Sequence, residues 1–327
     1  MTTGERFTVV FRVAAGPRVG FGHLVRCRSL ARALNVTPLV SIRGTQRTRA
    51  LAASMGFPVL DSQWPLMKGG PTTGETPDLI VVDDPVGEFA EAWVKKARRL
   101  GVPVASIHDL GLAPVESDLA IDGSIGAHGD LRGPQFAILD PSIADIRRDN
   151  RRPVAGSVLI ALGGGSHVLA LAGRLSRAIA QRSPGASIRV VRGFSSGRQA
   201  PALSHATWVE APAGLGRDLA DAQVAVVAGG VTLYEACALG VPVVALPVTI
   251  EQHLTVRAAA CRGAAIDTGR PPVDDGMVSR AADAVAALLQ NAGWRRRQSA
   301  AARQLVDGQG AWRVAERLKE LVVCRAA

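Results

Sequence analysis

The run Val224-Ala225-Val226-Val227-Ala228-Gly229-Gly230-Val231-Thr232-Leu233-Tyr234-Glu235, followed by Gly240-Val241-Pro242 and then Glu251-Gln252, has the order strand, glycine turn, helix, strand, helix. A β-branched run ending in paired glycines lets backbone N–H groups come close to a ligand. The helix behind them turns its positive end to the same point. Such a turn suits an anion, a diphosphate above all. Glu235 lies one helical turn further in, where its carboxylate suits the vicinal hydroxyls of a ribose. Gly229, Gly230, Val231, Thr232 and Glu235 together point to a nucleoside-diphosphate ligand. A second reading stays open: Thr232-x-x-Glu235 also has the spacing of a capping box, in which the glutamate folds back onto a backbone N–H.

Near the start, a strand leads into Gly16-Pro17-Arg18-Val19-Gly20-Phe21-Gly22-His23-Leu24-Val25-Arg26. Gly20 and Gly22 close the loop and His23 opens a helix, whose positive end disfavours imidazolium. The ring is therefore expected neutral and available as a base. Arg26, three residues on, projects toward the same cleft. Without a function, Gly20 and Gly22 only make a turn and His23 is an ordinary first-turn residue. The loop is not a dinucleotide fingerprint, because Val25 stands where the third glycine belongs, as Val168 does after Gly163-x-Gly165. No Gly-Lys-Ser/Thr occurs, which removes a standard P-loop.

Asp83, Asp84 and Asp109 fall just after strands, where carboxylates orient sugar hydroxyls or a histidine. An Asp before Pro85 is also ordinary turn chemistry. His108 adjoins Asp109 in the same position. The second glycine turn, Gly163-Gly164-Gly165-Ser166, offers the amides of Gly164 and Gly165 to the same anion, while Ser166 beside His167 also reads as a helix N-cap.

The elements that must position these residues alternate. Strands are expected over 9–13, 38–42, 79–82 and 102–107, with helices over 23–34, 45–55 and 89–100. The pattern lapses into a charged, proline-bounded stretch over 141–156. A second series follows, with strands at 158–162, 188–191 and 208–209, and helices over 278–289 and 312–323 close the chain. This predicts an α/β protein of two doubly wound, Rossmann-like domains, 1–150 and 151–327, with ligands in the cleft between them at the carboxyl ends of the strands.

The chain has 327 residues, 47% of them apolar, enough for two cores. No apolar run approaches the roughly 20 residues of a membrane span, and the first residues lack a secretory signal, so a cytoplasmic protein is expected. Cys27, Cys237, Cys261 and Cys324 are widely spaced, without zinc-ligand spacing, and are expected reduced. The net charge of +10 comes mostly from scattered arginines, and one Tyr with seven Phe leaves little for base stacking, so nucleic acid is not expected as a partner. The dense clusters Arg147-Arg148, Arg151-Arg152 and Arg295-Arg296-Arg297 read as solvated surface. A monomer is favoured.

These residues resemble the nucleotide-sugar hydrolases of pseudaminic acid biosynthesis, which cleave a UDP-linked diacetamido-trideoxy-altrose, and their spore-coat polysaccharide relatives. The resemblance rests on Gly20-Phe21-Gly22-His23-x-x-Arg26-Cys27, Val81-Val82-Asp83-Asp84, Gln135-Phe136-Ala137-Ile138-Leu139, Gly163-Gly164 and Ala228-Gly229-Gly230-x-Thr232-x-x-Glu235 with Gly240-Val241-Pro242. The carboxyl half is equally similar to the UDP-N-acetylglucosamine transferase of peptidoglycan synthesis. The resemblance implies a glycosyltransferase-B-type (GT-B) fold, a UDP-sugar substrate, no metal or cofactor, and His23 as catalytic base. Departures lie around the expected sugar pocket and bear on the sugar rather than the nucleotide: Val13-Ala14-Ala15-Gly16, Pro85, His167 and Glu251 stand where the family has acidic residues, Tyr, Asp and Asn.

The leading expectation is hydrolysis, with a water held by His23 attacking the anomeric carbon with inversion while the glycine amides stabilise the departing UDP. Glu235 holds the ribose and Gln252 the sugar or a phosphate. The alternative is an inverting glycosyltransferase in which His23 deprotonates an acceptor hydroxyl. A third reading is a UDP-sugar-binding protein without catalysis.

Overall fold

A computed structural model describes residues 7–16, 19–54, 56–60, 76–109, 114–149, 152–163, 167–193, 200–211 and 214–326. The chain divides into two compact units, Met1–Asp140 with Gly310–Ala327, and Pro141–Gln309.

In the first unit the elements run β1 (Val9–Ala14), α1 (Gly22–Leu34), β2 (Leu39–Arg43), α2 (Gln46–Ser54), β3 (Leu79–Asp83), α3 (Gly87–Arg99), β4 (Val104–His108), β5 (Leu119–Asp122) and β6 (Leu131–Arg132). The strands form one parallel sheet in the order β2-β1-β3-β4-β5-β6. Valine and isoleucine dominate β1 and β3, which are buried on both faces as a helix-covered parallel sheet requires. Ala90, Val94 and Ala97 of α3 pack on Val10, Ile80, Val82 and Val104. Leu24, Cys27, Leu30, Ala31 and Leu34 form the buried face of α1. The order reverses between β1 and β3, and a crevice outside their carboxyl ends is where a doubly wound sheet takes its ligand.

The second unit comprises α4 (Ser142–Asp149), β7 (Ser157–Ala161), α5 (His167–Arg182), β8 (Ser187–Val191), β9 (Thr207–Val209), α6 (Gly216–Asp221), β10 (Val224–Val227), α7 (Val231–Leu239), β11 (Val243–Ala245), α8 (Ile250–Cys261), β12 (Ile266–Asp267), α9 (Asp275–Gln290) and α10 (Ala292–Leu305). Its parallel sheet has the order β12-β11-β10-β7-β8-β9, reversing between β7 and β10. Val158, Ile160, Val224, Val226 and Val244 make a core with Leu175 and Ile179 of α5 and with Ala281, Val285 and Leu288 of α9. The last helix, α11 (Gly310–Ala326), returns to the first unit and packs along α1.

The division falls at Pro141 rather than at residue 150, and Gly310–Ala327 belongs with the first unit. The charged stretch after Pro141 contains α4, which buries only Ile143 and Ala144 and so hides its periodicity. It packs on α6 and α7 within the second unit. Arg147 is not mere solvated surface either. Its guanidinium donates to the carbonyls of Ala238 at 2.6 Å, Val306 at 2.9 Å and Arg303 at 3.1 Å, closing the carboxyl ends of α7 and α10. Arg295 likewise donates to the carbonyls of Leu288 and Leu289 at the end of α9. Among the described residues, no helix is long and apolar enough to cross a membrane.

Candidate active site

The reversal point of the first sheet holds a buried polar network. Gly16 and Gly20 exchange both backbone hydrogen bonds, at 3.0 and 2.7 Å, to fold the loop after β1. Gly20 sits at φ +89°, a left-handed conformation that a side chain would strain. Gly22 follows in ordinary geometry with open space around it. The tight loop delivers His23 into the first turn of α1, directly opposite the end of β3.

There His23 Nδ1 lies 2.8 Å from Asp83 Oδ1. Arg26 donates from Nε to Asp83 Oδ2 at 2.9 Å and from one terminal nitrogen to Oδ1 at 2.5 Å, and its other terminal nitrogen reaches Asp109 Oδ2 at 2.8 Å. That first terminal nitrogen also stands 3.0 Å from His23 Nδ1. A carboxylate only accepts, so the 2.8 Å contact to Asp83 calls for a proton on Nδ1, with the Arg26 nitrogen donating to Asp83 rather than to the ring. Nε2 then carries the lone pair of the neutral ring. Burial alone opposes charge on the ring, but the field of Asp83 and its hydrogen bond outweigh this and raise the His23 pKa above its ordinary value. The expectation of a ring kept neutral by the helix end is thereby corrected: the carboxylate is in contact, and the diffuse helix-end charge is the weaker influence. Burial would raise the Asp83 carboxyl, yet Arg26 and His23 hold it well below the usual carboxylate range.

The two neighbouring aspartates thus have different partners. Asp83 has both oxygens committed to His23 and Arg26. Asp84 takes a two-pronged ion pair from Arg43, with both contacts at 2.6 Å, and accepts the Val86 N–H at 3.0 Å, the turn chemistry expected before Pro85. Arg43 also stacks over the Phe89 ring, 4.5 Å from its centroid.

His23, Arg26, Asp83 and Asp84 line a pocket of about 210 Å³, with His108 and Asp109 from the end of β4 and with Ile107 and Val115 as apolar wall. His108 Nε2 accepts the Val115 N–H at 3.2 Å and lies 2.7 Å from Ser106 Oγ. Burial lowers its pKa, in spite of the nearby carboxylates of Asp122 and Asp83.

At the reversal point of the second sheet, Gly163 leaves β7 at φ +87°. Gly164, Gly165 and Ser166 lie outside the described residues, and His167 begins α5. Gly229 and Gly230 follow β10, and they differ. A Cβ on Gly229 would sit 2.6 Å from the Gln252 carbonyl oxygen and 2.9 Å from Val256 Cγ2, so this glycine lets α8 close on the turn. A Cβ on Gly230 would find only Gln252 Nε2, at 4.0 Å, leaving the backbone open to a ligand. Gly230 is the N-cap of α7, with no side-chain cap, and Val231 and Thr232 are the first helical residues. Thr232 therefore cannot be the N-cap of a capping box, and Glu235, buried in the second turn, is not its partner. Gln252 spends its Oε1 on the Val248 N–H at 3.0 Å, so its NH2 group, beside Gly230, is a donor. Amides, a helix start and an amide NH2 are all donors, which is what an anion requires.

Two parallel doubly wound units, each with its reversal-point site, agree with solved structures along nearly the whole chain. The calicheamicin glycosyltransferase CalG4 superposes with a TM-score of 0.64 at 16% identity, covering 99% of this chain and 100% of that one. MurG of Acinetobacter baumannii does so with 0.60 at 16% identity, covering 96% and 99%. The chain has the GT-B glycosyltransferase fold. In sequence it is similar to the spore coat polysaccharide biosynthesis protein SpsG of Bacillus subtilis (strain 168), 26% identical over 338 aligned positions that cover 94% of this chain and 96% of that protein. No protein-family model matches the chain. At 16% identity the likeness to the solved structures is one of fold.

Proposed function

We propose that this protein is an inverting glycosyltransferase that uses a UDP-sugar donor, in a surface-polysaccharide pathway. The observation that carries the reading is the 2.8 Å contact between His23 Nδ1 and Asp83 Oδ1, in a residue that lines a pocket. In the step it supports, His23 Nε2 takes the proton of an acceptor hydroxyl. The acceptor oxygen bonds to the anomeric carbon, and the bond from that carbon to the phosphate oxygen breaks with its electron pair going to UDP. A diphosphate leaves without an acid, so no second carboxylate is required. The charge gathering on UDP is met by the amides at Gly230 and Val231, the start of α7 and the Gln252 NH2, with Glu235 on the ribose. Gly164 and Gly165 are assigned to the same phosphates by their sequence alone.

Hydrolysis is the second reading, favoured by Gly20-Phe21-Gly22-His23-x-x-Arg26-Cys27 and chemically identical up to the replacement of the acceptor by water. Incubation with a panel of UDP-sugars, each with and without sugar and lipid-linked acceptors, decides between them. UDP release that depends on an acceptor supports the transferase; equal release in water alone overturns it in favour of the hydrolase.

A further inference from the structure

We propose that His108 is a second catalytic residue, whose Nδ1–H donates a hydrogen bond to the attacking oxygen while His23 Nε2 receives that oxygen's proton. The proposal rests on the general-base reading of His23 and adds what holds the nucleophile in place. His108 lies at the end of β4, 92% buried, and both histidine rings line the same pocket. The Val115 backbone N–H donates to His108 Nε2, so that nitrogen carries no proton and the neutral ring holds its hydrogen on Nδ1. Among the described residues Nδ1 has no partner. Burial keeps the ring uncharged.

The two rings therefore present opposite faces of the same chemistry: one bare lone pair, one N–H. A hydroxyl oxygen is the group that needs both, since it donates one hydrogen bond and accepts others. Held between them, its proton points at His23 and its remaining lone pair is free for the anomeric carbon. The charged neighbours do not compete for this place. Asp83 and Asp84 are tied to His23, Arg26 and Arg43, and Asp109 is paired with Arg26. With three carboxylates and one guanidinium on its wall, the pocket favours an uncharged group such as a hydroxyl over a phosphate.

Two substitutions separate this role from a structural one. His108→Gln keeps an acceptor for the Val115 N–H but has no donor at the Nδ1 position; His108→Asn keeps a donor there and loses the acceptor. The proposal expects His108→Gln to lower kcat about tenfold or more, with UDP affinity unchanged, and His108→Asn to retain most of the rate. The reverse order overturns it. Nitrogen NMR of the unmodified protein provides a test that needs no turnover. Protonated Nδ1 and bare Nε2 are expected at His108, and methyl hexosides should shift His108 Nδ1 and His23 Nε2 together along one saturation curve. A proton on His108 Nε2, or hexosides that move only one ring, would overturn the proposal. If UDP fails to bind while both rings respond, the nucleotide-sugar reading falls and the paired-histidine site stands. Comparing the rate loss with and without an acceptor shows whether the oxygen so held belongs to an acceptor hydroxyl or to water.

Discussion

A histidine acts as a base only through the nitrogen its neighbours leave bare, and at His23 the Asp83 carboxylate makes that choice. Asp83→Asn should reverse it, because an amide that donates to Nδ1 drives the proton to Nε2. The expected loss is about 10²–10⁴ in kcat, the usual range for a lost general base, with UDP affinity unchanged by calorimetry. A near wild-type rate would remove Asp83 from the mechanism. In the unmodified enzyme only neutral His23 accepts a proton, so the rate should climb with pH through an apparent pKa above ~6.5, since Asp83 raises it. A profile that is already flat below that value would contradict the ion pair. Linkage gives the matching stability signs. His23 contributes stability fully below about pH 6.5 that is lost as pH rises through its raised pKa. Asp83 contributes stability above ~3.9 that is lost as pH falls. Gly-x-Gly-His was legible in the sequence because loop, helix start and histidine are contiguous. Its partner 60 positions away was not, and reasoning from the helix end alone gave the wrong sign for the pKa.

At the scale of elements, most of the long strands and helices announce themselves through β-branched runs and 3.6-residue periodicity. What escaped were the pieces whose burial is small or whose form comes from tertiary contact. The strands β6 and β12 have two residues each, α4 shows two buried side chains, and α10 carries the arginine run 295–297. The glycine turn after β10 was found, but not the division of labour within it. Gly229→Ala forces a Cβ against the Gln252 backbone and Val256, and should cost about 1–3 kcal/mol, read as a lowered Tm. Gly230→Ala meets open space and ordinary backbone angles, so its stability should stay within about 0.5 kcal/mol, while the methyl group hinders a diphosphate and weakens UDP binding. Equal destabilisation by both would mean that α8 covers the whole turn. Unchanged UDP affinity in Gly230→Ala would move the phosphates elsewhere.

The whole molecule repeats one solution twice: a parallel sheet whose strand order reverses, with the candidate residues at the carboxyl ends beside the reversal. On the proposed reading the first unit supplies the base, His23, and the second the donors that meet the diphosphate, so substitutions in the two should act on different quantities. Glu235→Gln preserves shape but gives up charge-assisted hydrogen bonds to the ribose, worth roughly 1.5–3 kcal/mol, or about tenfold to over a hundredfold in UDP affinity. His23→Asn removes the base and should leave UDP affinity within a few-fold, because His23 acts on the nucleophile. The double variant is the sharper measurement. Its UDP affinity by calorimetry should equal that of Glu235→Gln alone, and its rate at saturating donor should equal that of His23→Asn alone, since each change touches a step the other does not. A double variant that binds UDP markedly more weakly than Glu235→Gln would show that His23 also contacts the nucleotide, and its role as a base reserved for the attacking hydroxyl would have to be given up.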